Sequence, residues 1–269
     1  MCGERASGTG RGMILSQREA ATLRRPSPVF LAILAVCVGC GLLLWYGIGP
    51  TGLAAFGFVL AGWVVTLCLH EYAHAATAYH SGDHGVVEKG YLTLNPLKYS
   101  HALFSIVLPL VFVLLGGIGL PGGAVYINPH ALRNKVRESL VSAAGPLTNI
   151  GFTLLLAAAL GWALTGSDAH VTFWAATAYL CMLQVTASLL NLLPVPGLDG
   201  YGIAEPWLPV EWVANARKVA PFAILLLFAF LWEPRTGGAF FGTVFWILEL
   251  LGVPSALVWG GSDLFRFWS

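Results

Sequence analysis

The amino-acid sequence predicts an all-α integral membrane protein with about six transmembrane helices. Hydrophobic residues make up 57% of the 269 residues and charged residues only 10%, and the mean hydropathy is +0.75. Soluble proteins carry about 25% charged residues. Six apolar stretches approach the roughly 20 residues that a helix needs to cross a bilayer. The lipid bilayer is therefore an expected partner, whereas the net charge of +1 argues against a nucleic-acid partner.

The predicted spans follow a basic tail. Residues 1–28 are rich in Gly, Ser and Arg and are predicted to be a disordered cytoplasmic tail, and residues 29–269 to form one multi-pass membrane domain. Four of the five cysteines lie in predicted spans, so a disulfide framework is not expected. The apolar stretches predict membrane helices at residues 29–47, 52–79, 140–164, 171–193, 220–232 and 238–259.

The positions of the basic residues predict the orientation. Five arginines in the tail place the N-terminus in the cytoplasm, since cytoplasmic loops carry the Lys and Arg excess. A seventh apolar stretch, residues 103–120, would put Arg133, Lys135 and Arg137 outside if it crossed the membrane. It is therefore predicted to be a re-entrant segment, which leaves both termini cytoplasmic. Residues 121–129 are predicted to form a short β-loop beside the candidate metal site described next.

A metal-binding pattern interrupts the second span. His70 and His74 are four residues apart, so they share one face of a helix. Two imidazole nitrogens at this spacing can bind one Zn²⁺, with Glu71 as the general base for a water. Ionisable side chains at membrane depth cost on the order of 3 kcal/mol each on insertion scales, which indicates a functional role. One zinc ion per chain is the expected cofactor.

The third metal ligand is predicted to be Asp199. Prolines at 194 and 196 end the fourth span, and glycines on either side free the backbone around Asp199. In the predicted topology this break lies in the same half of the membrane as the two histidines. A carboxylate oxygen is a suitable third zinc ligand.

A third motif lies in the span at 140–164, where Ala143, Ala144 and Gly145 are followed by Pro146 and Asn149. Small residues let membrane helices pack closely, and Gly145 is predicted to serve packing alone. Asn149 places an amide near the inner end of its helix. Either helix packing or binding of a substrate backbone accounts for it.

These three motifs, in this order, resemble the site-2 protease family of intramembrane zinc metalloproteases. The resemblance covers roughly residues 52–200, the expected catalytic core, and implies hydrolysis of peptide bonds in transmembrane substrates. It implies that His70, His74 and Asp199 bind zinc, with Glu71 as catalytic base. It makes Asn149 and Asn191 candidates for substrate binding, and it suggests a plasma membrane location. The residues 99–103, Tyr-Ser-His-Ala-Leu, depart from the Asp-Pro-x-Gly-Thr of many bacterial members.

Two other functions fit part of the pattern. Intramembrane histidines and broken helices also suit a metal-binding transporter. Polar groups would then be expected to line a path on both sides of the membrane midplane, whereas here they cluster in one half. A catalytically silent membrane scaffold would be expected to have lost a metal ligand or the glutamate, and all four residues are present. Neither the substrate nor the oligomeric state follows from the sequence.

Overall fold

The computed structural model describes residues 25–99, 127–128, 131–166 and 169–268. The predicted re-entrant segment at 103–120 and nearly all of the tail lie outside these residues. Of the predicted β-loop, only Ile127 and Asn128 are described, and neither belongs to a helix or a strand. The described residues form helices and connecting turns, with no β-strand among them, in agreement with the predicted all-α class.

Four helices are long and apolar enough to span a membrane. They match the first four predicted spans, with helix α4 beginning five residues earlier than predicted. Two bent helix pairs raise the number of candidate spans to six if each counts as one. The helices are α1 (Pro28–Tyr46), α2 (Thr51–Ser81), α3 (Gly85–Glu88), α4 (Lys135–Ala163), α5 (Val171–Leu192), α6 (Asp199–Ala204), α7 (Val210–Trp232), α8 (Pro234–Leu250) and α9 (Ser255–Phe265). Short 3₁₀ turns lie at Tyr91–Thr93, Pro96–Lys98 and Glu205–Trp207.

Local sequence signals set the ends of the spanning helices. The Ser27 side chain accepts a hydrogen bond from Phe30 N and caps α1, and the Asn134 side chain does the same for α4. These residues satisfy backbone N–H groups that the first turn of a helix leaves unpaired. Gly47 ends α1 with a φ of 65°, a left-handed conformation that glycine adopts without steric cost.

The last two predicted spans are not straight helices. The halves of α7, on either side of residues 220–225, differ in direction by 70°, and α8 and α9 differ by 119°. The second break follows from Gly252, with a φ of 73°, and Pro254, which caps α9. The predicted span at 238–259 therefore corresponds to two helices joined by a sharp bend and not to one straight helix.

Helices α2, α4 and α5 form the centre of the protein. The Arg137 side chain, at the start of α4, donates to His80 O at the end of α2 at 3.0 Å, so these two helices run antiparallel. Helix α5 follows α4 after a short loop and therefore runs parallel to α2. Cys181 on α5 donates to Thr153 O on α4 at 3.7 Å. We call the end of the bundle where α2 terminates the site end, and the end where α2 begins the opposite end.

The two described ends of the chain lie at different ends of the bundle. Ser27, before α1, donates its backbone N–H to Thr93 O at 2.8 Å, just beyond the site end of α2. The rings of Phe267 and Trp268 pack against Phe56 near the start of α2. This arrangement disagrees with the prediction that both termini share one side of the membrane. The prediction counted 238–259 and 220–232 as two full crossings, whereas α7 is bent.

Candidate metal centre

Helix α2 brings the two histidines together as their spacing predicts. The Nε2 atoms of His70 and His74 lie 3.0 Å apart. Both side chains are buried among α2, α4 and the start of α6. Two nitrogens this close, each with a lone pair, repel one another unless a proton or a cation lies between them.

Asp199 completes a group of metal-ligand candidates that we call the donor triangle: His70 Nε2, His74 Nε2 and the Asp199 carboxylate. Its Oδ2 lies 3.3 Å from His70 Nε2 and its Oδ1 lies 3.3 Å from His74 Nε2. Three atoms that each lie about 2.05 Å from one tetrahedral zinc ion are separated by about 3.3 Å. These three residues also form the only group of three or more potential metal ligands found among the described residues. The donor set and its spacing therefore fit zinc.

The connection between α5 and α6 places Asp199 at this point. The chain turns sharply after α5, and a Cβ atom at Gly200 would overlap the carbonyl groups of Leu192 and Leu193. Glycine thus permits a close backbone approach that no other residue allows. On the other side of α6, the Ser139 hydroxyl of α4 donates to Ile203 O at 2.7 Å. Asp199 is therefore held between the end of α5 and the start of α4.

The histidines that face Asp199 also change its acidity. Burial raises the pKa of the Asp199 carboxyl, but the rings of His74 and His70, when they are protonated, outweigh burial through charge and hydrogen bonds and lower the pKa below its ordinary value. Asp199 is consequently ionised at neutral pH and available as an anionic ligand.

A backbone contact fixes the tautomer of His74. Its Nδ1 lies 2.6 Å from the carbonyl oxygen of Val141 on α4. A carbonyl can only accept, so Nδ1 carries the proton and Nε2 keeps its lone pair for a metal. Metal-binding histidines usually have such a partner for their second ring nitrogen.

Glu71 lies beside the donor triangle and is more deeply buried than Asp199. One of its carboxylate oxygens is 4.0 Å from His70 Nε2. Side-chain exposure is 3% for Glu71, 6% for His70 and 8% for His74, but 22% for Asp199. The site therefore opens to its surroundings on the Asp199 side, and Glu71 faces it from within.

Gly145 has a larger role than its sequence motif indicates. A Cβ atom at this position would overlap the Nε2 atoms of both His70 and His74. The backbone of α4 thus closes one face of the donor triangle, and any larger residue at position 145 would displace both imidazole rings. Sequence reasoning assigned Gly145 to helix packing because the overlap depends on a contact between helices. The position of Gly145 within the Ala-Ala-Gly-Pro motif was the available signal.

The two asparagines are buried, but no contact among the described residues defines their function. Asn149 lies on α4 one helical turn beyond Gly145, so it shares the face that meets α2. Asn191 lies near the end of α5, before the turn that leads to Asp199. Glu205, a possible alternative ligand, instead pairs with Arg217 at 3.1 Å.

A glutamate beside a zinc-fitting donor triangle, enclosed by helices long and apolar enough to span a bilayer, defines the class of membrane-embedded zinc metalloproteases. Relatives of known name carry the same assignment to zinc metalloproteases. A Mycobacterium tuberculosis (strain H37Rv) protein named "Putative zinc metalloprotease Rip2" is 45% identical over 257 residues, covering 94% of this chain and 97% of that protein. Its Mycolicibacterium smegmatis namesake is 46% identical over 250 residues, covering 91% and 95%.

A more distant relative extends the comparison. The Bacillus subtilis (strain 168) protein named "Putative zinc metalloprotease YwhC" is 33% identical over 182 residues, covering 64% of this chain and 78% of that protein. The chain belongs to the site-2 protease family of intramembrane zinc metalloproteases. No protein-family model and no solved structure matches it. It is a zinc enzyme, and the transporter and scaffold alternatives are not favoured.

Proposed function

We propose that His70, His74 and Asp199 hold the zinc ion and that Glu71 is the general base of peptide hydrolysis. The donor triangle carries this proposal, since the two Nε2 atoms lie 3.0 Å apart and each lies 3.3 Å from one of the two oxygens of the Asp199 carboxylate, distances close to those between ligands on one tetrahedral zinc. Three protein ligands leave a fourth position open, as catalytic zinc sites require.

Each residue then has a defined task. When bound, zinc supplies a Lewis acid that makes water more acidic and polarises a peptide carbonyl. Glu71 accepts the proton of the attacking water on a carboxylate oxygen and returns it to the amine nitrogen of the leaving group. Val141 O holds His74 in the tautomer that binds metal, and Gly145 keeps the space in front of both histidines clear.

The substrate is a transmembrane protein whose helix unwinds at the cleavage site. A helix hides its amides in its own hydrogen bonds, so a protease buried among membrane helices needs an unwound segment. The segment enters on the Asp199 side, where exposure of the site is greatest. Asn149 and Asn191 offer amide groups that bind the unwound backbone.

The orientation in the membrane follows from the basic residues. The site end of the bundle faces the cytoplasm, the protein lies in the plasma membrane, and residues 29–269 form one domain with its catalytic core at about 52–200. Asp83 Oδ2 accepts a hydrogen bond from Asn128 N at 2.8 Å, which ties Asn128 to the loop after α2 at the site end of the bundle.

Reconstitution in lipid vesicles tests this function. We expect the purified protein to cleave a single-span substrate in proteoliposomes, to lose activity when a chelator removes the metal, and to recover when zinc is added back. A water-soluble peptide carrying the same cleavage sequence serves as the matched control and should be cut much more slowly. Cleavage that persists in metal-free protein, or equal rates on both substrates, would contradict the proposal.

A further inference from the structure

Gln184 of α5 uses only half of its amide in hydrogen bonding. Gln184 is only 1% exposed, and its Nε2 donates a hydrogen bond to Thr66 Oγ1 on α2 at 2.8 Å. The Thr66 hydroxyl in turn donates a hydrogen bond to Trp63 O, also at 2.8 Å. Gln184 Oε1 has no hydrogen-bond partner among the described residues. An acceptor left unpaired at such depth is destabilising, so a partner is expected.

His70 presents the complementary problem, an unpaired donor. If its Nε2 binds metal, the neutral ring carries its proton on Nδ1. His74 donates the equivalent proton to Val141 O, but His70 Nδ1 has no partner within the described part of the chain. Both orphaned atoms are completely buried.

The two orphaned groups lie beside neighbouring turns of α2. Thr66 and His70 are four residues apart, which places them on one helix face with a separation of about 6 Å along the axis. Side chains in a helix lean toward its N-terminus, so the His70 ring leans over the turn that contains Thr66. Gln184 is fixed to that same turn by its hydrogen bond to Thr66.

We propose that Gln184 is a positioning residue for His70, acting through one internal water molecule. The water accepts from His70 Nδ1–H and donates to Gln184 Oε1, which satisfies both orphaned groups. Buried waters typically make about three hydrogen bonds to polar groups that would otherwise be unpaired. Asn149 is also buried, on α4 one turn beyond Gly145.

This bridge does for His70 what Val141 O does for His74. It fixes the ring orientation and the tautomer, and it makes Nε2 a better ligand. The inference rests on the proposed function, because it requires that His70 binds the metal. It adds that the contact between α5 and α2, one helical turn from His70, raises the zinc affinity.

Substitution of Gln184 tests the inference. Gln184→Met keeps the length and the packing but cannot accept the hydrogen bond from water, and we expect zinc affinity to fall about 10- to 100-fold. Zinc affinity is measured by competition with a chelator, beside the visible spectrum of the cobalt-substituted protein. Thr186→Val is the matched control, since Thr186 is equally buried on α5 but donates its hydroxyl to Met182 O in its own helix, and the zinc affinity of this variant should not change.

A second variant separates positioning from folding. Gln184→Glu keeps an acceptor of the same size and should bind zinc more tightly than Gln184→Met. Unchanged zinc affinity and cobalt spectrum in Gln184→Met would overturn the inference, as would equal losses in the Met and Glu variants. Failure of the proposed function would give a different result. If His70 does not bind zinc, the zinc content of His70→Ala would equal that of the wild type.

Discussion

The Glu71→Gln variant should bind zinc like the wild type and cleave its substrate about 10²- to 10⁴-fold more slowly, because a general base usually contributes a factor of this size. Glutamine has the shape of glutamate but cannot take up the proton of the attacking water. The residue is buried, with its carboxylate 4.0 Å from His70 Nε2, so its exchange leaves the donor triangle in place. Zinc content and cleavage rate in proteoliposomes are measured on the same preparation.

Glu211→Gln provides the matched control. Glu211 lies in the first turn of α7 and is exposed, so its variant should retain both zinc and full activity. A Glu71→Gln protein that cleaves at the wild-type rate would refute the assignment of Glu71 as base. Loss of zinc together with loss of activity would instead mean that Glu71 supports the metal site.

Gly145→Ala should abolish zinc binding, although it adds only one methyl group. That methyl would overlap the Nε2 atoms of both His70 and His74, so the donors cannot converge on a metal unless α4 moves. A close-packed helix interface resists such movement. Metal analysis of the purified variant should show well below one zinc per chain, with no cleavage of substrate.

The matched control is Gly151→Ala on the same helix. Apart from the adjoining residues and backbone of its own helix, no described atom lies within 4 Å of a Cβ at Gly151, so this variant should keep its zinc. Replacing an exposed helical glycine by alanine should also raise stability by about 0.5–1 kcal/mol. A Gly145→Ala protein with full zinc content would show that α4 does not lie against the metal-facing nitrogens.

The sequence predicted the site better than it predicted the course of the chain around it. His70, Glu71 and His74 follow from a local helical spacing, and Asp199 from a helix break expected in the same half of the membrane. Gly145 could not be assigned in this way, because its importance depends on how closely α4 approaches α2. Hydropathy identified the first four spans, since each is one continuous apolar helix.

The C-terminal region shows the limit of hydropathy. Composition identifies apolar helices at residues 220–232 and 238–259 but carries no information on their direction. The bends within α7 and between α8 and α9 therefore escaped prediction. Counting both stretches as full crossings placed the two termini on one side, whereas packing of Phe267 and Trp268 on Phe56 puts the described C-terminal end at the opposite end.

The zinc content of detergent-purified protein, wild type beside Asp199→Ala, tests the central claim most directly. Asp263→Ala, which removes a carboxylate whose side chain is 78% exposed, is the matched control. We expect about one zinc per chain in the wild type and the control, and its loss or a large drop in affinity in Asp199→Ala. Stoichiometric zinc that survives Asp199→Ala unchanged would contradict the assignment of the third ligand, and absence of zinc from all three proteins would contradict the metal site itself.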